Sequence, residues 1–219
     1  AFVEFICQSN DVFAHPADLE RIGMAAEDVT TVDPSLFTLV GSVNRKNAQL
    51  VVEALSTITD SSVEDLVKIL NKFPGVSRRF EKISENIYSD YGHTPEKIRG
   101  ALQIAQEIAN KNVVVVYEGL HNTRQHFIRE ELDNLFEGIK KLYIVPSYLS
   151  REDESLEMLT PDKLCEIARE PVDREPAILD ESLKKSITEH VNNGDLVLCF
   201  SAGGGGSLDE WLRRQDFRY

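Results

Sequence analysis

Two apolar runs constrain this chain more than any other feature: Asn112-Val-Val-Val-Val-Tyr117 and Asp195-Leu-Val-Leu-Cys-Phe200. A strand with one wet face alternates apolar and polar residues. An unbroken run is instead covered on both faces, as in a parallel sheet layered between helices. The segments around the runs fit that order. Phe80 to Ile83 and Asn86 to Ser89 read as a short hairpin or one bent strand, and Thr94-Pro95 with Glu96 opens a helix reaching Asn110. Further helices are expected over 123–139, 161–169, 181–191 and 207–213. Additional β pieces are expected at Leu142 to Val145 and at Ala177-Ile-Leu179. The alternation predicts an α/β fold, a Rossmann-like, mostly parallel sheet covering residues 78–219.

The first third differs. Phe2 to Cys7, Val12-Phe13, Asp28 to Val32 and Leu36 to Val40 are β-rich but offer no evident way to enclose a core. Two amphipathic helices follow, over Asn47 to Thr57 and from Val63 to Leu70 behind the cap Asp60-Ser-Ser62, before Phe73-Pro-Gly75 stops the second. Residues 1–77 are therefore expected to be a partial α/β remnant with short strands and two helices, and 78–219 a separate domain. Ala1 stands inside an apolar segment, so the chain reads as cut from something longer.

Charge and cysteines exclude several classes. With 37 acidic against 24 basic side chains, the net charge is -13, which opposes binding to a phosphate backbone and excludes nucleic acid as a partner. Cys7, Cys165 and Cys199 are odd in number, widely spaced and set in apolar runs, which predicts reduced core thiols and a cytoplasmic location. No apolar run approaches the ~18 residues of a membrane span. No Cys/His spacing suits zinc, so no metal ligands are assigned.

Ligands of an open parallel sheet bind beyond the carboxyl ends of its strands. The loops expected there are Asp90-Tyr-Gly-His93, Glu118-Gly-Leu-His-Asn-Thr-Arg124, the stretch bearing Tyr148 and Arg151, and Ser201-Ala-Gly-Gly-Gly-Gly-Ser207. Asp90 and His93 precede a helix N-terminus that favours an anion, although a turn or loop hydrogen bond is the bland alternative. Arg78 and Arg79 are either a solvated pair or a pair that neutralises a phosphoryl group. Gly203 to Gly206 follows the last strand and lacks a dinucleotide fingerprint; it reads as a turn of close approach. The chain contains no Gly-x-x-x-x-Gly-Lys-Ser/Thr, hence no P-loop.

Arg78-Arg79-Phe80-Glu81 resembles the Arg-Arg-Phe-Glu/Asp linker of the Mur ligases that join L-alanine to UDP-N-acetylmuramate. Asp90-Tyr-Gly-His-Thr-Pro95 is similar to their Asp-Tyr-Gly-His-His-Pro. Gly41-Ser-Val-Asn-Arg-Lys-Asn-Ala48 resembles Gly-x-His-Asn-x-x-Asn-Ala with Val43 in place of His, and Thr123-Arg124 matches the end of the family's Pro-His-Arg-Tyr-Thr-Arg. Gly194 to Leu198 with Ser201-Ala-Gly203 resembles the closing segment. The resemblance implies an ATP-dependent ligase of peptidoglycan precursor synthesis working through an acyl phosphate. Residues 1–77 would be the end of its ATPase domain and 78–219 its C-terminal domain, inactive without the P-loop part. It further implies that Asn44 and Asn47 contact the adenine end of ATP and that Arg78 or Arg79 binds phosphate. Asp90 would hold the nucleotide or its Mg2+, while His93, His121, Arg124, Ser201 and Gly203 line the amino-acid side. ATP and Mg2+ would be bound mainly by the rest of the parent. A murein tripeptide ligase, a folylpolyglutamate-type ligase, or a degenerate domain kept as a nucleotide-binding or interaction module are the alternatives.

Overall fold

In the computed structural model, which describes residues 32–217 except 57 and 151, the two apolar runs lie side by side. Val113 to Tyr117 pairs in parallel with Leu196 to Phe200. The elements are α1 (Ser42–Ser56), α2 (Val63–Leu70), β1 (Glu81–Ser84), β2 (Ile87–Asp90), α3 (Pro95–Ala109), β3 (Val113–Leu120), α4 (Asn122–Phe127) and α5 (Arg129–Leu132). They continue with β4 (Lys141–Tyr148), α6 (Pro161–Ile167), β5 (Arg174–Pro176), α7 (Glu181–Asn192), β6 (Leu196–Phe200) and α8 (Leu208–Arg214). The strands form one sheet in the order β1-β2-β6-β3-β4-β5. β1 is antiparallel to β2, and every other pairing is parallel. This is the mixed α/β, mostly parallel sheet expected from the runs.

The valine run explains its own composition. Val113 and Val115 face a layer with Ile98, Leu102 and Phe136, whereas Val114 and Val116 face Leu183, Ile187 and Leu212 on the other side. All four valines are fully buried. Each such side chain contributes roughly 1.5–3 kcal/mol of transfer free energy, and a polar residue at any of them would have no wet face to turn to.

The chain divides into two compact units between Pro74 and Gly75. In the first, α1 and α2 enclose a small core of Phe37, Ala48, Val52, Leu66 and Val67. The strands expected before residue 32, and Cys7, lie outside the described residues. Cys199 is fully buried and Cys165 half-buried, both as free thiols. Among the described residues no helix is long and apolar enough to cross a membrane.

Four local expectations are corrected. The first helix begins at Ser42 rather than Asn47, directly after Gly41 at φ +90°, because the polar turn Ser42 to Lys46 needs no apolar face. Leu36 to Val40 is not a strand: Pro34–Leu36 is a 3-10 turn capped by Asp33, and the extended backbone after it joins no ladder among the described residues. The helix expected over 123–139 is two short helices ending at Leu132, followed by turns. Ile128, Leu132, Leu135, Phe136 and Ile139 keep helical spacing and are buried. The chain is held off the helical path by the Arg169–Asp133 ion pair, by the Glu170 N–H on the Asp133 carbonyl, and by Gly138 at φ +80°. Finally, the edge strand is the polar Arg174–Pro176, not Ala177 to Leu179, since an edge ladder needs backbone groups rather than apolar side chains.

Candidate functional site

The linker after Gly75 is bent sharply. Arg78 and Phe80 sit at φ 57° and 49°, the left-handed region that costs a non-glycine residue of order 1–3 kcal/mol unless its surroundings enforce it. Two carboxylates enforce it here. The Arg78 N–H donates to Glu81 Oε2 at 2.8 Å, and the Phe80 N–H donates to Asp90 Oδ2 at 2.8 Å. The Arg78 carbonyl accepts the Tyr91 N–H at 2.8 Å.

The two arginines then part. Arg78 turns inward: its Nη2 donates to the Ser201 carbonyl at 2.7 Å and the Gly203 carbonyl at 2.9 Å, while its guanidinium lies 4.6 Å from the Tyr91 ring centre. Arg79 is exposed, with its guanidinium 5.3 Å from the same ring.

Asp90, at the carboxyl end of β2, is 6% exposed, and its Oδ1 accepts the Gly92 N–H at 2.6 Å. Burial raises its pKa, against the pull of the Phe80 and Gly92 N–H groups and the charges of Arg79 and Lys97. Three residues on, the His93 Nδ1 faces the Tyr91 carbonyl at 3.0 Å, a partner that assigns the proton to Nδ1. Burial lowers the His93 pKa, and the nearby charges of Lys97, Arg124 and Arg79 lower it further, although the Tyr91 carbonyl pulls the other way. Burial and the neighbouring cations thus keep the imidazole neutral, leaving Nε2 as a hydrogen-bond acceptor.

Beneath the linker runs a buried polar network in which Ser201, the Glu118 loop and Glu81 stood out in the sequence, whereas Ser89, Asp209 and Arg213 were missed. Glu118, 4% exposed, accepts from the Ser201 hydroxyl at 2.7 Å and the Leu208 N–H at 2.9 Å. The Ser201 Oγ accepts the Asp209 N–H at 3.1 Å, and Asp209 accepts from the Ser89 hydroxyl at 2.6 Å and from Arg213. Arg213 also reaches Glu81 at 2.6 Å, closing the network on the linker. The bonds of Arg213 and Ser89 hold Asp209 below the usual carboxylate range although burial raises it. Polar residues inside the last apolar strand's continuation, and an acid at the first turn of α8, were the available signals.

The β3 and β4 loops supply the rest. Gly203 packs against Tyr148: a Cβ there would stand 2.5 Å from the ring, so the close approach at this turn is made by a side chain of the same unit. His121 takes φ 57°, gives its N–H to the Tyr148 carbonyl at 2.9 Å, and places Nδ1 3.5 Å from Glu152 without a hydrogen bond. Arg124 on α4 has a buried Nε without a hydrogen-bond partner. Thus Arg78, Arg79, Asp90, His93, Ser201 and Gly203 gather in one region, with Arg124 near enough to influence His93. His121 instead sits beside Glu152. Asn44 and Asn47 belong to the other unit, three residues apart on α1, where Asn44 Nδ2 donates to the Val40 carbonyl at 2.7 Å. Arg151 lies outside the described residues. Among the described residues no three His, Cys, Asp or Glu side chains are grouped to hold a metal ion.

Residues 78–203, from the first linker arginine to the glycine against which Tyr148 packs, match the family described as Mur ligase, glutamate ligase domain. The chain belongs to the Mur ligase family. It is 26% identical over 195 residues to the UDP-N-acetylmuramate–L-alanine ligase of Jannaschia sp., covering 87% of this chain and 40% of that protein. To the same-named ligase of Myxococcus xanthus it is 30% identical over 185 residues, covering 80% and 39%. The chain thus spans about two fifths of the length of these curated relatives. Among solved structures, the UDP-N-acetylmuramate–alanine ligase of Thermotoga maritima overlays with a TM-score of 0.54 at 21% identity, over 81% of this chain and 38% of that one. A folylpolyglutamate synthase of Mycobacterium tuberculosis gives 0.53 at 14%, over 76% and 39%. At these identities the structural likeness is one of fold.

Proposed function

We propose that this chain is part of an ATP-dependent ligase of peptidoglycan precursor synthesis that joins L-alanine to UDP-N-acetylmuramate, in the cytoplasm. Residues 1–77 are read as the end of its ATPase domain and 78–219 as its C-terminal domain. The observation that carries the reading is Arg79, an exposed guanidinium held on a linker whose strained backbone is fixed by Glu81 and Asp90. A fixed cation suits phosphoryl transfer, in which positioning and charge neutralisation supply most of the catalysis.

In the proposed reaction the muramate carboxylate attacks the γ-phosphorus of ATP, ADP departs, and the amine of L-alanine attacks the resulting acyl phosphate and releases inorganic phosphate. Arg79 neutralises the phosphoryl oxygens. Asn44 and Asn47 contact the adenine end. His93, kept neutral by burial and neighbouring cations, accepts a hydrogen bond from the incoming amine and orients it. Arg124 offers its guanidinium to the amino-acid carboxylate; Ser201 and Gly203, buried and engaged with Glu118, Arg78 and Tyr148, shape that side from beneath, and His121 stands at its margin beside Glu152. Mg2+ is supplied with ATP by other parts of the parent protein. Asp90 is buried with both oxygens engaged by backbone N–H groups, so it is given no metal and serves by holding the linker. With no P-loop, the chain alone is expected to be inactive.

Phosphate release by the full-length gene product, with ATP, Mg2+, UDP-N-acetylmuramate and each candidate amino acid, tests the reading. Release that requires the nucleotide sugar and L-alanine, and that Arg79→Ala abolishes, supports it. Release with a murein peptide or a folate in place of the nucleotide sugar, or none at all, overturns it.

A further inference from the structure

We infer that the adjacent arginines have different duties: Arg78 is a positioning residue that latches the linker onto the turn after β6, and so fixes where Arg79 is carried. Adjacent arginines in a flexible linker would sweep overlapping volumes and serve as interchangeable cations. Here they do not. The Arg78 side chain is 28% exposed and its Nη2 is already shared between two backbone carbonyls, Ser201 at 2.7 Å and Gly203 at 2.9 Å, more than 120 positions away in sequence. Its Nε lies 3.7 Å from Asp209 Oδ2, and its face lies over Tyr91. Nη2 is thereby committed to backbone carbonyls, and the buried Nε, which has no hydrogen-bond partner, points toward Asp209, so the guanidinium is aimed into the fold rather than held out for a phosphate. Arg79 has an exposed side chain and a shared ring contact with Tyr91.

The latch also explains the glycine. The Gly203 carbonyl reaches Arg78 because Tyr148 packs where a Cβ would be, 2.5 Å from two ring carbons, with Ser207 Cβ at 2.8 Å. Any side chain at 203 must move the Tyr148 ring or the Gly203 backbone. The linker's strained turn is thereby tied at four points: Glu81 on the Arg78 N–H, Asp90 on the Phe80 N–H, the Tyr91 N–H on the Arg78 carbonyl, and the β6 turn on the Arg78 side chain. Of these only the last is made by a side chain other than a carboxylate, so it can be removed by substitution while the other three keep their partners.

The consequence for catalysis rests on the ligase reading above; the latch itself does not. Amide hydrogen exchange on this chain reads it directly. Arg78→Ala and Gly203→Ala are expected to speed exchange of the Phe80 and Tyr91 amides by about tenfold or more, while α3 and β3 amides keep their protection. Arg79→Ala is expected to leave Phe80 and Tyr91 unchanged. In the full-length ligase, Arg78→Ala and Gly203→Ala should then lower kcat together, whereas a phosphate ligand would be lost with Arg78 alone. Unchanged Phe80 and Tyr91 exchange in Arg78→Ala overturns the latch, as does acceleration spread evenly over α3 and β3. Altered exchange in a full-length protein without ligase activity upholds the latch and removes the ligase reading.

Discussion

The carboxylate of Glu118 and the hydroxyl of Ser201 meet 2.7 Å apart, 83 positions distant in sequence, where the ends of β3 and β6 lie together. The same carboxylate takes the Leu208 N–H at the start of α8, so one acid ties two strand ends to a helix. Glu118→Ala leaves a buried hydroxyl and a buried N–H unpaired and is expected to cost roughly 1–3 kcal/mol by urea unfolding. Glu118→Gln should cost less, because the Ser201 hydroxyl can rotate to receive the new amide. Burial raises the Glu118 pKa above its ordinary 4.5, so folding favours the protonated form. That contribution is present below the unfolded value and is lost as pH rises through the folded one. Relative to Glu118→Gln, the native protein should therefore lose stability from acid to neutral pH; parallel curves would contradict this.

Glu81 behaves in the opposite sense. The hydrogen bond from Arg213, and then the Arg78 N–H, lower its pKa from 4.5 to about 2. A depressed carboxylate contributes stability that is present above its unfolded value and lost as pH falls through the folded one. Glu81→Gln should thus be less stable than the native protein at neutral pH, and the gap in urea midpoint should close between pH 4.5 and about 2. A gap of constant size would show that the ion pair with Arg213 contributes nothing.

Asp90 accepts at both oxygens from backbone N–H groups, so an amide cannot replace it. Asp90→Asn must turn its NH2 toward either Phe80 or Gly92, setting donor against donor at about 1–3 kcal/mol. The expected outcome is faster exchange at the Phe80 amide and lowered thermal stability, whatever happens to activity. Full protection of that amide in the variant would remove Asp90 from the linker's support.

Neither described cysteine should react in the folded state. Burial pushes the Cys165 thiol up to about 11 and the Cys199 thiol still higher, so at pH 8 almost no thiolate exists at either. Iodoacetamide followed by peptide mapping should find both unlabelled until denaturant is added. Rapid native labelling of Cys199 would mean that β6 opens.

The sheet was legible because its signal is local: four consecutive valines cannot all be buried unless helices cover both faces, and Thr94-Pro95 marks a helix start by itself. The 123–139 helix was misread for the same reason. Its apolar spacing is helical and its residues are buried, but the Asp133–Arg169 ion pair that redirects the chain joins positions 36 apart. Within the site, Arg78, Arg79, Asp90 and His93 stood out as chemistry-bearing types on loops. Asp209 and Ser89 did not, since a lone acid and a lone serine acquire meaning only when a partner 120 positions away is placed against them.

The sheet order places β6, the last strand in sequence, between β2 and β3. A nascent chain emerging from the ribosome therefore has β2, β3 and β4 in hand with a vacant slot in their midst, each bordering edge offering unpaired N–H and C=O groups. Until residues 196–200 arrive, the sheet cannot close, and β2 has only β1 for a neighbour. A sheet built in this order is most exposed to mispairing between the synthesis of β3 and that of β6, when the β2 and β3 edges that β6 will join are both open.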